Sequence, residues 1–184
     1  AKYTVQHKVG GTVQGEPTVV EQEIWVNADE LEITENSIKK NNYDGYKFKS
    51  FSVDPEGAIE LENIKPGKMI KDGATITLNY EKVKTVSYTV QHKVGGTVQD
   101  NPTVVEKEIW DDAEASLEVT ADSIKENTYK GYKYDSIDPK GTTAGQTVAD
   151  GTVITLNYVR DDNQTKTAKY TVQHKVGGTV QGEP

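Results

Sequence analysis

The sequence predicts an α+β, β-rich fold: tandem small domains of order strand, strand, helix, strand, loop, strand, arranged head to tail as an elongated rod. Three observations predict it. Residues 3–14, reading Tyr-Thr-Val-Gln-His-Lys-Val-Gly-Gly-Thr-Val-Gln, return unchanged at 88–99 and begin again at Tyr170, spacings of 85 and then 82 residues. Apolar and polar residues alternate with the two-residue period of half-buried strands. One segment per copy breaks that period behind a threonine, Thr34 or Thr120, as a helix start does.

Each element follows from local patterning. Tyr3, Val5, His7 and Val9 share one side of an extended segment, with Thr4, Gln6 and Lys8 on the other. Gly10-Gly11 ends or bulges that strand, and Gly15-Glu16-Pro17 marks a turn before a second strand over residues 18–26, the partner in a hairpin. Thr34 is placed to cap a short helix over 35–42 with Ile38 as its main apolar contact, and Thr120, Ser123 and Ile124 repeat the signal. Two turns of helix persist only through tertiary packing. Tyr43-Asp44-Gly45-Tyr46 then introduces a third strand through Phe48 and Phe51, closed by Asp54-Pro55-Glu56-Gly57. The second copy has Tyr129-Lys130-Gly131-Tyr132 and Asp138-Pro139-Lys140-Gly141 at these places. A surface loop follows, six residues shorter in the second copy between Asp138 and Asp150 than between Asp54 and Asp72. Behind the Asp72-Gly73 and Asp150-Gly151 turns comes the last strand, where Ile76, Leu78 and Tyr80 alternate with Thr75, Thr77 and Asn79.

The copies divide the chain into a first repeat at 1–84, a second at 85–167 and the truncated start of a third at 168–184. The joints, 81–87 and 159–169, contain neither glycine nor proline, which limits bending; the first is expected to continue as strand into the next repeat. The second is longer, carries Asp161-Asp162-Asn163, and is expected to bend more easily. Residues 168–184 are identical to 1–17, whereas the second copy has Asp100-Asn101 where the others have Gly-Glu, so the larger repeat is a pair of unlike units, expected to belong to a longer array. The tail is expected to dock on a neighbouring molecule or the preceding unit as an added strand.

Composition narrows the function classes. With 184 residues, repeats of a little over 80 have small cores, and the absence of cysteine removes disulfides and thiolate metal sites as supplements. A net charge of −8 with interspersed lysines leaves no basic stripe for a phosphate backbone, so nucleic acid is not an expected partner. No apolar run is long enough to span a bilayer as a helix. Hydrophobic content of 34% is low for an enzyme, yet ten tyrosines and regular strand patterning argue against disorder. No nucleophile elbow, glycine-rich phosphate loop or convergent acid pair stands out, so the chain is read as a non-enzyme with no cofactor and no catalytic or metal-ligating residues.

Tyr-Thr-Val-Gln-His opening each repeat, the Tyr43-Asp44-Gly45-Tyr46 and Tyr129-Lys130-Gly131-Tyr132 elements, Asp-Gly before the last strand, and the closing Thr-Leu-Asn-Tyr resemble the SHIRT repeats of streptococcal cell-wall adhesins. More distantly they resemble the mucin-binding-protein repeats of Gram-positive surface proteins. The resemblance covers both full copies and implies a secreted, wall-anchored stalk that projects a distal ligand-binding domain. Its partners would be adjacent repeats of the same chain and, through another domain, a host glycoprotein, with the fragment itself a monomer. The alternative is a repeated weak adhesion module for host glycoprotein or mucin glycans, gaining avidity by repetition.

Trp25 and Trp110 hold equivalent places at the end of the second strand and are candidates for an inter-domain or glycan contact: the indole either covers the core edge or joint, the favoured reading, or stacks on sugar. His7, His92 and His174 are one repeated position, read as hydrogen-bonded to a cross-strand group on the Tyr/Val face. Asp161-Asp162-Asn163 has the oxygen donors for calcium but reads as a solvated linker. Asn79 or Asn157 would serve a Lys–Asn crosslink if a buried lysine stood beside it; none is expected to form.

Overall fold

The computed structural model describes residues 1–163 and 168–182. By packing, the chain forms two compact units, one of Ala1–Ser87 with Glu106–Leu117 and Val148–Gly151, the other of Tyr88–Val105 with Glu118–Thr147 and Thr152–Pro184. The boundary expected after residue 167 and the last two residues of the expected third repeat lie outside the described residues.

Strand alternation becomes a four-stranded sheet in the first unit. Its strands are β1 (Lys2–Val9), β2 (Thr12–Glu21), β4 (Tyr46–Asp54) and the first part of β6 (Thr75–Val94), in the order β2-β1-β6-β4. β1 is antiparallel to β2 but parallel to β6, with Val5 opposite Ile76 and His7 opposite Leu78; β4 returns antiparallel to β6, with Phe48 opposite Tyr80. A parallel pair needs a crossover. Here it includes β3 (Glu30–Glu32) and β5 (Met69–Lys71), which form an antiparallel ribbon of their own. Tyr3, Val5, Ile76, Leu78 and Tyr80 point to one sheet face and are buried in one cluster with Leu31, Ile33, Ala58, Ile64 and Ile70 from the crossover. The opposite face is polar: the Gln6 amide donates to Thr77 Oγ1 at 2.9 Å and the Asn79 amide to Ser52 Oγ at 3.0 Å.

The second unit repeats the order with β7 (Thr97–Trp110), β6, β11 (Thr152–Arg160) and β9 (Tyr132–Asp138). β11 runs parallel to β6, Val90 opposite Ile154, and antiparallel to β9, Tyr158 opposite Tyr134. β8 (Ser116–Glu118) and β10 (Thr147–Ala149) pair as another two-stranded ribbon. Tyr88, Val90, Val119, Ile154, Leu156 and Tyr158 are buried. The joint at 81–87 is strand throughout, because β6 is a single element from Thr75 to Val94.

The expected helix in each copy is absent, and the fold is β-rich without an α component: among the described residues the only helical element is one 3-10 turn at Leu61–Asn63. Residues 35–38 and 121–124 are turns. The physical reason lies in the tyrosines. Thr34 N–H and Asn41 N–H donate to the hydroxyls of Tyr3 and Tyr80, at 3.0 and 2.9 Å, while Ser37 Oγ donates back to the Thr34 carbonyl at 2.7 Å. Thr120, Asn127 and Ser123 do the same with Tyr88 and Tyr158. A segment with one apolar side chain gains little from a helix, so fixed acceptors from the sheet satisfy its donors instead.

The second strand also differs from its expected bounds. Gly15-Glu16-Pro17 lies inside β2, where the pairing with β1 shifts between Val5–Thr18 and His7–Gln14, a bulge on an edge strand that accommodates both Gly15 and Pro17. Residues 22–26 fall outside β2, whereas β7 continues to Trp110. In the tail, His174–Val176 (β12) and Thr179–Gln181 (β13) form a two-stranded sheet of their own, and the described residues show no added strand on another sheet.

Candidate functional site

The two tryptophans, equivalent in sequence, have different surroundings. Trp25 follows β2 in a turn closed by the Ala28 N–H to its carbonyl at 2.9 Å, and is 89% exposed beside a fully exposed Val26. Trp110 ends β7 and is half-buried within the first unit. Its position is set by neighbours on β6 and β4. The Asp111 N–H donates to the Lys82 carbonyl at 2.9 Å, and Lys84 Nζ to the Asp111 carbonyl at 2.7 Å. Lys47 forms an ion pair with Glu108, and Lys49 forms one with Glu81 while standing 5.3 Å from the centre of the Trp110 ring. The hydrogen bond to Glu81, aided by the charges of Glu81 and Asp112, raises the Lys49 ammonium above its ordinary value. An open cleft of about 420 Å³ runs past Lys47, Val83, Glu108, Ile109 and Trp110.

The strand of Trp110 thus has a partner in β6, and among the described residues the segment 22–25 has no strand partner, although Gln22 exchanges backbone hydrogen bonds with Ala1 at 3.0 Å in each direction. Chemically, the Trp110 site offers an aromatic face and two lysine–glutamate ion pairs. That combination holds surfaces together or accepts a polar ligand. Lys47, Lys49 and Val83 were not singled out from sequence, and comparing copies hides the last two, since Asp135 and Asp161 stand at the places of Lys49 and Val83.

The histidines also divide. His7 stacks on Tyr80 with centroids 5.6 Å apart and planes 16° apart, and His92 stacks on Tyr158 with the same values. Tyr43 and Tyr129 meet the tyrosine partners edge-on at 4.8 Å. His92 Nδ1 lies 3.1 Å from the Tyr158 hydroxyl, the cross-strand bond expected. His7 Nδ1 is buried without a hydrogen-bond partner among the described residues, and burial lowers the ring's pKa from 6.5. Burial also raises Tyr80 and Tyr158, against the N–H bonds of Asn41 and Asn127 that lower them. His174 is exposed in β12.

Asp161 Oδ1 accepts the Asn163 N–H at 3.2 Å and Asp162 faces Arg160 at 3.7 Å, so local partners take up this acidic run; the joint beyond it, 164–167, lies outside the described residues. Lys8 is opposite Asn79 and Lys93 opposite Asn157 in the parallel pairings, but both lysines are exposed, which removes the dry setting a crosslink needs. Among the described residues no three His, Asp or Glu side chains are grouped to hold a metal, and no helix is long and apolar enough to cross a membrane. No protein-family model and no curated protein matches the chain.

Proposed function

We propose that the chain is a structural spacer: stalk repeats of a secreted, wall-anchored bacterial adhesin that carry a distal ligand-binding domain away from the cell surface. The observation that carries this reading is β6, one strand from Thr75 to Val94 that closes the first sheet and begins the second without an intervening loop. A spacer needs copies and a stiff connection but no reacting group. Support also comes from Trp110, whose ring is occupied by Lys49. Small-angle scattering on the whole chain tests the proposal: an elongated particle with a fixed maximum dimension is expected, and a compact or broadly flexible one overturns it.

A second reading, a weak adhesion module for host glycans, is favoured by Trp25, whose indole is 89% exposed. Titration with mucin-type glycans while recording tryptophan emission separates the two. An unresponsive signal removes the adhesion reading.

A further inference from the structure

We propose that the bond between Asp44 and Gly45 is a covalent modification site: in the folded chain it isomerises to an isoaspartyl linkage, with water as the co-reactant, and so loosens the hold of this turn on β6. The step needs two groups to be free. The Gly45 nitrogen gives up its proton and bonds to the side-chain carboxyl carbon of Asp44. One carboxyl oxygen leaves as water, taking the amide proton and the proton of the neutral carboxyl. Water then opens the five-membered imide. Attack at the side-chain carbonyl restores aspartate, whereas attack at the main-chain carbonyl leaves the backbone running through the side-chain carbon, with no net change of mass. Glycine favours ring closure because it has no side chain to crowd it.

The chain has three Asp-Gly pairs, Asp44-Gly45, Asp72-Gly73 and Asp150-Gly151, and all six residues are exposed. Hydrogen bonding separates them. Asp72 Oδ1 accepts the Lys2 N–H at 2.6 Å while the Gly73 N–H donates to the Lys2 carbonyl at 2.7 Å. Asp150 and Gly151 hold Ser87 in the same way, at 2.7 and 2.8 Å. In both pairs the attacking nitrogen and the carboxyl are tied to one residue, so reaction waits for a local opening. Neither the Asp44 carboxyl nor the Gly45 N–H has a hydrogen-bond partner among the described residues. Gly45 has a φ of 74°, with nothing within 4 Å of where a Cβ would stand. The turn is closed by the Tyr46 N–H on the Tyr43 carbonyl at 3.0 Å, and the Gly45 carbonyl accepts the Val83 N–H of β6 at 3.0 Å. An extra backbone carbon at Asp44 lengthens the turn and displaces that carbonyl. In the second copy Lys130 takes the place of Asp44, yet the Gly131 carbonyl still accepts the Asp161 N–H at 2.9 Å. The aspartate is therefore dispensable to the turn.

The test stores the full chain at neutral pH and physiological temperature, folded and in guanidinium chloride, and follows the tryptic peptide 41–47 beside those carrying Asp72 and Asp150. An isoaspartyl twin of 41–47 with unchanged mass is expected in the folded sample. It is expected to form at least about tenfold faster than at Asp72 or Asp150, with the three rates drawing together in denaturant. Deamidation of Asn41 or Asn42 in the same peptide raises its mass and is counted apart. Asp44→Lys is expected to keep the fold and to remove the main isoaspartyl signal of the folded chain, read by enzymatic methylation of isoaspartyl carboxyls. In the isomerised fraction, separated by ion exchange, the Val83 amide is expected to exchange with deuterium faster than in the unaltered chain. Absence of the twin, equal rates at the three pairs in the folded chain, or a ranking that denaturant leaves unchanged overturns the site. Unchanged Val83 exchange in the isomerised fraction overturns the hold on β6.

Discussion

The Tyr3 hydroxyl lies 2.7 Å from Ser37 Oγ while accepting the Thr34 N–H at 3.0 Å. Ser37 gives its own proton to the Thr34 carbonyl, so the phenol proton goes to Ser37 and one tyrosine completes a closed set of bonds. Tyr3→Phe keeps the buried ring and strands the Thr34 N–H. The expected loss is about 0.5–1.5 kcal/mol, the net contribution of a hydrogen bond whose donor is only partly buried. Urea unfolding checks it, and Tyr88→Phe is expected to act in the same direction in the second unit, where Tyr88 meets Ser123 at 2.8 Å.

Burial holds His7 below 6.5 in the folded chain, whereas in the unfolded chain the ring titrates near that value. Between the two the unfolded state binds more protons. The contribution of a neutral His7 is therefore complete above pH 6.5 and is lost as pH falls through the lowered folded value. Urea midpoints recorded across that window are expected to fall with pH, and His7→Phe is expected to flatten that part of the curve. A slope unchanged by His7→Phe would assign it to other groups.

Gly10 has a φ of 54°, and a Cβ built there comes 3.1 Å from Tyr46 Cε1. Gly95 meets Tyr132 in the same way at 3.0 Å. Gly10→Ala is expected to destabilise the first unit by about 1–2 kcal/mol through left-handed backbone strain, with the Tyr46 contact adding to it. A double-mutant cycle with Tyr46→Ala measures the added part: the glycine substitution is expected to cost less once the ring is gone.

Trp25 and Trp110 are expected to report separately in acrylamide quenching. The Trp110→Phe chain, emitting from Trp25, is expected to quench readily with red-shifted emission; Trp25→Phe leaves a shielded signal that becomes more accessible in Lys49→Gln. Trp25→Ala is expected to change stability by less than about 0.5 kcal/mol, as surface substitutions usually do. Equal quenching of the two single-tryptophan chains would contradict the two environments.

The strands were legible because alternation is a local property: Tyr3, Val5, Ile76, Leu78 and Tyr80 all lie on the face their spacing predicts. The helix over 35–42 was misread because its threonine signal is real but serves another end. The acceptors that capture Thr34 and Asn41 are on Tyr3 and Tyr80, dozens of residues away, and no window around Thr34 contains them. The bulge at Gly15 and Pro17 was read as a turn since both residues mark either feature. Equivalence between Trp25 and Trp110 held in sequence and failed in structure, because exposure depends on Lys49 and the β6 pairing, which the first tryptophan lacks.

The parallel pairing of β1 with β6 also governs how the chain can fold as it is made. Thr4 faces Thr75, so the first strand waits until nearly the whole repeat has emerged before its sheet partner exists, a slow, long-range closure. During that wait the ribosome has not yet supplied residues 170–176, whose sequence is the same as 3–9 and which have chain enough before them to cross over and compete for the same edge. Synthesis order thus gives the correct strand a head start over its own copy. Refolding from denaturant removes that advantage, and mispaired intermediates become a hazard there that the growing chain avoids.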